Sequence, residues 1–440
     1  MDLTCAATTH TAHRQESSVH SCSYELRCDQ NKPVLRRSMR GDAGGLARPL
    51  RHRPGARPQA YGAVASRVQA RQGAGQGHQG STAEGAGEVL PLRGEVCGRS
   101  RRQRRGSCRL HWRGRLVRRG QDGLQLGGRE VPRIPAHDPE DELLPKPSPE
   151  LNPSTTPLMM QVTEFAGGGF VVGLIFVHAI ADGLGIAQFL NAVAEIARGL
   201  PNPTVEPAWS REVIPNPPKL PPGGPPVFPS FKLLDATVDL SADHINHVKA
   251  RHLELTGQRC SIFDVAISNL WQSRTRAINL DPGVDVHVCF VANTRHLLRQ
   301  VLVPEGGYYG NCIYPVTATA SSGRIASAEL IDVISIIRDA KARLPDEFAK
   351  WAAGEFKVDP YELSFTYNTL FVTDWTRLGF LDVDYGWGKP LHVIPFSCFD
   401  IITIGIIGAP PAPQKGTRVM THCVEKEHMQ AFLEEMKGLA

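Results

Sequence analysis

The feature that most constrains this chain is an unbroken apolar run at residues 170–177 (FVVGLIFV), which ends on His178 in the sequence HAIADG. A run of that length without polar alternation reads as a strand covered on both faces. Residues 185–200 (GIAQFLNAVAEIARGL) follow with the spacing of a helix. A buried strand thus delivers an imidazole to its end, small residues turn the chain, and a helix leaves. An imidazole so placed can take a proton near neutral pH; a satisfied histidine at a strand end would look the same. Asp182, four residues on, belongs behind the loop, where a buried carboxylate needs a cation. Gly183 lets the backbone turn sharply there.

Around this unit the chain reads as alternating strands and helices. Residues 158–165 (LMMQVTEF) partly alternate, and a glycine turn at 166–169 would join them to the apolar run as a hairpin. Eleven prolines between residues 200 and 229 exclude a central strand or helix and make a stiff crossover. Beyond it, strands are expected at 231–240, 284–292, 364–372, 392–395 and 401–407. Ser241 should cap a helix through Glu254, Ser261 a second through Ala277, and Ser327 a third over 328–344. A last helix is expected over 425–439. This mixture indicates an α/β class with mixed sheets.

The first 140 residues are of another kind. They carry 25 basic and 12 acidic residues, a net of +13, whereas the remainder carries 24 and 32, a net of −8. Between Pro33 and Pro145 there is no lysine or phenylalanine, and Ile134 is the single isoleucine. Residues 101–120 alone hold nine arginines. No sustained apolar period appears, so disorder is the expectation. An Arg/Gly-rich tail binding nucleic acid is one reading. A stretch translated out of frame from a GC-rich gene is the other, and it accounts for the abundance of Arg, Gly, Ala and Pro. Between Pro33 and Pro145 only Tyr61 and Trp112 interleave the basic residues, which is too little for single-strand stacking, so nucleic acid is not the expected partner.

Bulk properties exclude further classes. A hydrophobic content of 41% with 21% charged residues suits a globular protein. No apolar run reaches the roughly 18 residues of a membrane span, and the first fifteen residues lack the apolar core of a secretory signal. The ten cysteines include no CxxC pair and no zinc spacing, so reduced thiols, a cytoplasmic location and no metal are expected. No phosphate loop, dinucleotide fingerprint or GxSxG elbow is present.

A second motif, DYGWG at residues 384–388, joins HxxxDG at 178–183. Together with ANTR (292–295), YYGNC (308–312) and SFTYNTLFVTDWTRLGF (364–380), they resemble the plant BAHD acyltransferases from about residue 140 onward. Within that family the likeness is to the grass branch that moves hydroxycinnamoyl or benzoyl groups. The resemblance implies a two-domain chloramphenicol-acetyltransferase-like fold. Residues 1–138 would be a disordered segment and 139–200 the remnant of the first domain. Residues 201–229 would be the crossover and 230–440 the second domain. It implies a monomer that binds no permanent cofactor and uses acyl-coenzyme A as co-substrate, with a small alcohol or amine as acceptor.

The resemblance also assigns roles. His178 is the general base. Asp182 braces the histidine loop through Arg295, with Gly183 at the turn; a surface arginine is the plain alternative for Arg295. Thr373 and Trp375 fall near the reacting centre, where an indole N–H, a donor only, suits an oxyanion; Trp375 as a core aromatic is the alternative. Asp384, Tyr385, Gly386, Trp387 and Gly388 form a turn on the coenzyme side, packed by Trp387. Ser261 matches a coenzyme-touching position, although its helix cap explains it equally well. The family's first strands and its YYPxAGR segment have no counterpart here. Residues 158–177 would then lack flanking strands and expose backbone groups, so the alternative reading is an inactive product of a truncated or frame-shifted acyltransferase gene.

Overall fold

A computed structural model of the chain describes residues 143–145, 156–164, 169–217, 228–302, 306–395 and 400–439, together with the backbone of seven strands before residue 143. The chain divides into two compact units, Met1–Ile180 with Trp387–Ser397, and Ala181–Gly386 with Cys398–Ala440. The division falls two residues after His178. The helix that follows therefore groups with the second unit, and not with residues 139–200 as the sequence suggested. Its side-chain bonds explain why: Gln188 and Asn191 both bond loops of that unit.

The first unit is built on strands. Those before residue 143 are β1 (Ser21–Asp29), β2 (Lys32–Ser38), β3 (Tyr61–Gln69), β4 (Gly87–Val89), β5 (Leu92–Gly94), β6 (Cys108–Arg113) and β7 (Arg115–Val117). One sheet runs β2-β1-β6-β5, and β4 pairs with β7. The apolar run forms β9 (Gly169–Val177), paired antiparallel with β8 (Leu158–Glu164) so that Leu158 faces Phe176. The turn expected between them, at 165–168, lies outside the described residues. On its other edge β9 pairs with β3, Tyr61 facing Val177, and β3 in turn pairs with β14 (His392–Ile394).

This arrangement corrects one expectation. Strand β9 does not lack a neighbour, because a segment of the arginine-rich third supplies one. Residues 61–69 (YGAVASRVQ) are locally free of proline and hold three alternating small or β-branched positions, enough for an extended segment to complete a ladder. Regular backbone thus occurs at seven places within 1–138, and the rest of that segment lies outside the described residues. Val171, Val172, Leu174 and Phe176 are all buried, as a run without alternation requires. A side chain at Gly173 would collide with the Leu143 carbonyl.

The second unit is a six-stranded mixed sheet in the order β10-β16-β15-β13-β11-β12. Its strands are β10 (Leu233–Leu240), β11 (Asp285–Asn293), β12 (Ile313–Ser321), β13 (Thr369–Asp374), β15 (Ile404–Gly408) and β16 (Thr417–Glu425). β13 runs parallel to β11 and β15, and the outer pairs are antiparallel. The helices are α1 (Gly183–Ala197), α2 (Ala242–Thr256), α3 (Ile262–Ile278), α4 (Ser322–Ser327), α5 (Leu330–Ala352) and α6 (Lys426–Lys437). α3 is the central one: Val265, Ile267, Leu270 and Trp271 are buried among residues of the sheet core.

Ser327 does not begin a helix. It ends α4, donating its hydroxyl to the Gly323 carbonyl at 2.7 Å, and α5 starts three residues later. α5 also runs through Pro345, because Leu344 and Phe348 continue its buried face. β12 and β16 were not expected from the sequence. Among the described residues no helix is long and apolar enough to cross a membrane, and no group of three or more side chains could hold a metal ion.

One contact ties the sheet's edge to the loop entering β15. His422 on β16 reaches Asp235 of β10 through Nδ1 at 2.9 Å and Asp400 through Nε2 at 3.1 Å. Burial by itself lowers the imidazole, but the bonds and charges of the two carboxylates outweigh it and leave the group above its ordinary value. A raised value in the folded state means stability that is present below the ordinary imidazole range and lost as pH rises through the folded value. The melting temperature should therefore fall over that window, and His422→Gln should flatten the fall. Parallel melting curves against pH for the two proteins would contradict this clamp.

Candidate active site

The histidine loop closes at the end of β9. The Ile180 N–H donates to the Val177 carbonyl at 3.0 Å, so residues 177–180 form a tight turn that carries His178. His178 is half-buried, its ring 5.5 Å from that of Phe176, two residues back on the same strand face.

Asp182 is the second residue of the second unit and is 3% exposed. It is the N-cap of α1: its Oδ1 accepts the Gly185 N–H at 2.9 Å. Arg295, just past β11, grips the same carboxylate with two bonds, Nη1 to Oδ2 at 2.8 Å and Nη2 to Oδ1 at 2.9 Å. The Cys312 N–H adds a fourth bond to Oδ2 at 3.0 Å. Arg295 Nη2 also donates to the carbonyls of Gly310 at 2.8 Å and Tyr308 at 3.2 Å. Gln188 completes the web, donating to the Tyr308 carbonyl and accepting the Gly307 N–H at 3.0 Å. A side chain at Gly185 would run into the Tyr309 carbonyl, so α1 and the 306–312 loop are in direct contact. The structure therefore brings Asp182 and Arg295 together. The backbone acceptors of the loop and the roles of Gln188 and Asn191 escaped the sequence reading. The DGxG spacing signals only the helix cap at Asp182; Gln188 and Asn191 carry no local signal.

Thr373 and Trp375 stand at the end of β13. Thr373 faces Ile406 across the parallel pair, and the Trp375 N–H donates to the Ile407 carbonyl at 2.8 Å. The Trp375 side chain is half-buried, its ring 5.4 Å from Phe380. In the DYGWG turn the Gly386 N–H bonds Asp384 Oδ1 at 2.7 Å, and Arg198 at the end of α1 donates to the Asp384 carbonyl. Gly386 and Gly388 have φ of +108° and +99°, the left-handed region in which glycine is unstrained. Burial pushes the Tyr385 hydroxyl well above its usual range. Trp387 is half exposed and meets Phe170 of β9 edge-on at 5.4 Å.

Ser261 caps α3 within a capping box, accepting the Asp264 N–H at 3.1 Å while its own N–H bonds Asp264 Oδ2 at 2.8 Å. Burial would raise the Asp264 carboxyl, but Lys341 at 2.7 Å and the Ser261 bonds outweigh it and hold the group low. The helix cap thus accounts for every bond Ser261 makes in the described residues that involves Asp264. Cys260, Cys289, Cys312 and Cys423 are all buried and free.

Residues 129–439 match the Transferase family. Acyl transferase 4 of Oryza sativa subsp. japonica is 56% identical over 310 residues, which cover 68% of this chain and 71% of the rice protein. A myricetin 3-O-glucosyl 1,2-rhamnoside 6'-O-caffeoyltransferase, AT2 of Crocosmia x crocosmiiflora, is 38% identical over 68% of this chain and 72% of its own length. Among solved structures, TRI101 of F. graminearum, complexed with coenzyme A and T-2 mycotoxin, superposes with a TM-score of 0.56. It is 14% identical and covers 84% of this chain and 92% of TRI101, a likeness of fold. The chain belongs to the BAHD acyltransferases, the Transferase family, and is an acyltransferase. The mixed sheets flanked by helices are the architecture of that family.

The Asp182 web makes a specific demand on stability. Removing the charge of one partner strands the other in a buried place, at a cost of about 3–5 kcal/mol. Asp182→Asn should lower the unfolding free energy by an amount in that range, read from denaturant melts. A change of about 0.5 kcal/mol or less, as at ordinary surface sites, would show that the pair carries no weight.

Proposed function

We propose that the chain transfers an aromatic acyl group, hydroxycinnamoyl or benzoyl, from its coenzyme A thioester to the hydroxyl or amine of a small molecule. The observation that carries this is the placement of His178 on a closed turn at the end of a largely buried strand, immediately ahead of the Asp182 cap in sequence. The caffeoyl activity in the name of the Crocosmia relative supports an aromatic donor.

In this reading an imidazole nitrogen of His178 takes the proton from the acceptor hydroxyl or amine. The freed lone pair attacks the thioester carbonyl and a C–O or C–N bond forms. The tetrahedral oxyanion collapses, the C–S bond breaks, and the thiolate leaves to be protonated by the imidazolium. The thioester is already activated, so no covalent enzyme intermediate is needed. The Trp375 indole N–H serves the oxyanion, Thr373 adjoins the reacting centre, and Ser261 and the DYGWG turn serve the coenzyme. The chain acts as a cytoplasmic monomer, a reading in keeping with its free buried cysteines.

A second reading, an inactive product of a frame-shifted gene, draws support from the family match, which begins only at residue 129. A screen of cinnamoyl-, caffeoyl- and benzoyl-coenzyme A against alcohol and amine acceptors, following thiol release, separates the two. Turnover dependent on an acceptor favours the first, and its absence across the panel the second. Within an active chain, His178→Ala should cost about 10²- to 10⁴-fold in kcat. Activity within about tenfold of the parent, short of that range, would remove His178 from the mechanism.

A further inference from the structure

Asn191 sits in the middle of α1, where asparagine is a poor helix former because its amide competes for backbone groups. Here the competition is used. Its Nδ2 donates one hydrogen to the Ala187 carbonyl four residues back, at 2.8 Å, and the other to the Gly379 carbonyl at 3.1 Å. Gly379 belongs to the turn that carries Trp375. Its φ is +95°, and its carbonyl also accepts the Asp382 N–H at 3.1 Å, opening the short 3-10 turn Phe380–Asp382. Phe380 is 2% exposed and holds the Trp375 ring.

The other end of the turn is equally fixed. The Thr376 N–H and hydroxyl both donate to Asp374 Oδ1, at 2.9 and 2.6 Å, and the Trp375 N–H is tied to β15. A Cβ on Gly183 would lie 2.7 Å from a Leu378 methyl, so the first turn of α1 also bears on this segment. The helix that leaves the histidine loop therefore reaches the tryptophan turn by packing at its start and by a side-chain hydrogen bond two turns later.

We propose that Asn191 is a positioning residue for acyl transfer: from α1 it fixes the turn 375–379 and, through it, the direction of the Trp375 indole. The proposal rests on the reading of Trp375 as a group near the reacting centre. Loss of the bond lets the turn shift, and displacements of about 1 Å at a reacting group cost up to about 10²-fold in rate.

The test uses the full chain labelled with 5-fluorotryptophan, whose six tryptophans give separate ¹⁹F signals. Trp375→Phe assigns the Trp375 signal. Asn191→Ala should shift or broaden that signal and leave that of Trp271, in the core, unchanged. It should lower kcat about tenfold with the KM for cinnamoyl-coenzyme A within about twofold, a loss made only in the transition state. In the Trp375→Phe background the same change should cost nothing more, because the two act as one unit. An unmoved Trp375 signal, or a kcat loss that multiplies with that of Trp375→Phe, overturns the proposal. Parental kcat in Trp375→Phe alone overturns the reading beneath it, while the ¹⁹F shift still decides whether Asn191 positions the ring. Asn191→Gln, which keeps the amide at another reach, gives the same readouts if the alanine variant does not fold.

Discussion

A carboxylate with almost no access to water organises the second unit. Asp182 gives up its hydration, and four donors from three separate segments replace it: the Gly185 N–H, two guanidinium nitrogens of Arg295 and the Cys312 N–H. A buried charge tolerates no half-satisfied arrangement. The start of α1, the exit of β11 and the 306–312 loop must therefore take up one geometry together. Arg295 extends the constraint to the carbonyls of Tyr308 and Gly310, and Gln188 to the chain between them. What looks like a motif of six residues is the anchor of a much longer stretch of backbone.

The histidine gains its precision from a different source. Strand β9 has ladder partners on both edges and side chains buried on both faces, so its end is a rigid place from which to present a side chain. Between this strand and the Asp182 cap lie only the residues of the turn. The imidazole is thus bracketed in sequence by two immobile features, one held by apolar packing and the other by charge. The two motif glycines serve contact: Gly183 meets Leu378, and Gly185 meets the Tyr309 carbonyl.

What could be read in the sequence followed from local pattern, and what could not followed from remote partners. β9, α1 and α3 announce themselves because apolar spacing and caps lie within each segment. β16 does not, because Arg418 and His422 interrupt its apolar residues, and they are tolerated only because Asp239, Asp235 and Asp400 meet them from elsewhere. β12 hides for a milder reason: its inward positions include Ala318 and Ala320, which carry little strand signal. α5 passes Pro345 because burial on either side of it outweighs a local breaker. The site divides in the same way. His178, Asp182 and Arg295 stand out by type and spacing, while Gln188 and Asn191 look like the polar face of a helix until their acceptors, more than a hundred residues away, come into view.

The same distinction bears on the first unit. Strand β3 precedes residue 129, where the family match begins, yet it closes the edge of β9 with a full antiparallel ladder. A ladder asks only for an extended backbone, because every residue but proline carries the same donor and acceptor. A sequence of unrelated composition can therefore satisfy the edge of β9. It does not follow that such a strand can replace its side chains. Residues 61–69 set Ala, Ser, Arg and Gln beside Tyr61, Gly62 and two valines, a composition the ladder itself does not select. The backbone of the first unit and its side chains thus make separate demands on the sequence, and a ladder answers only the first of them.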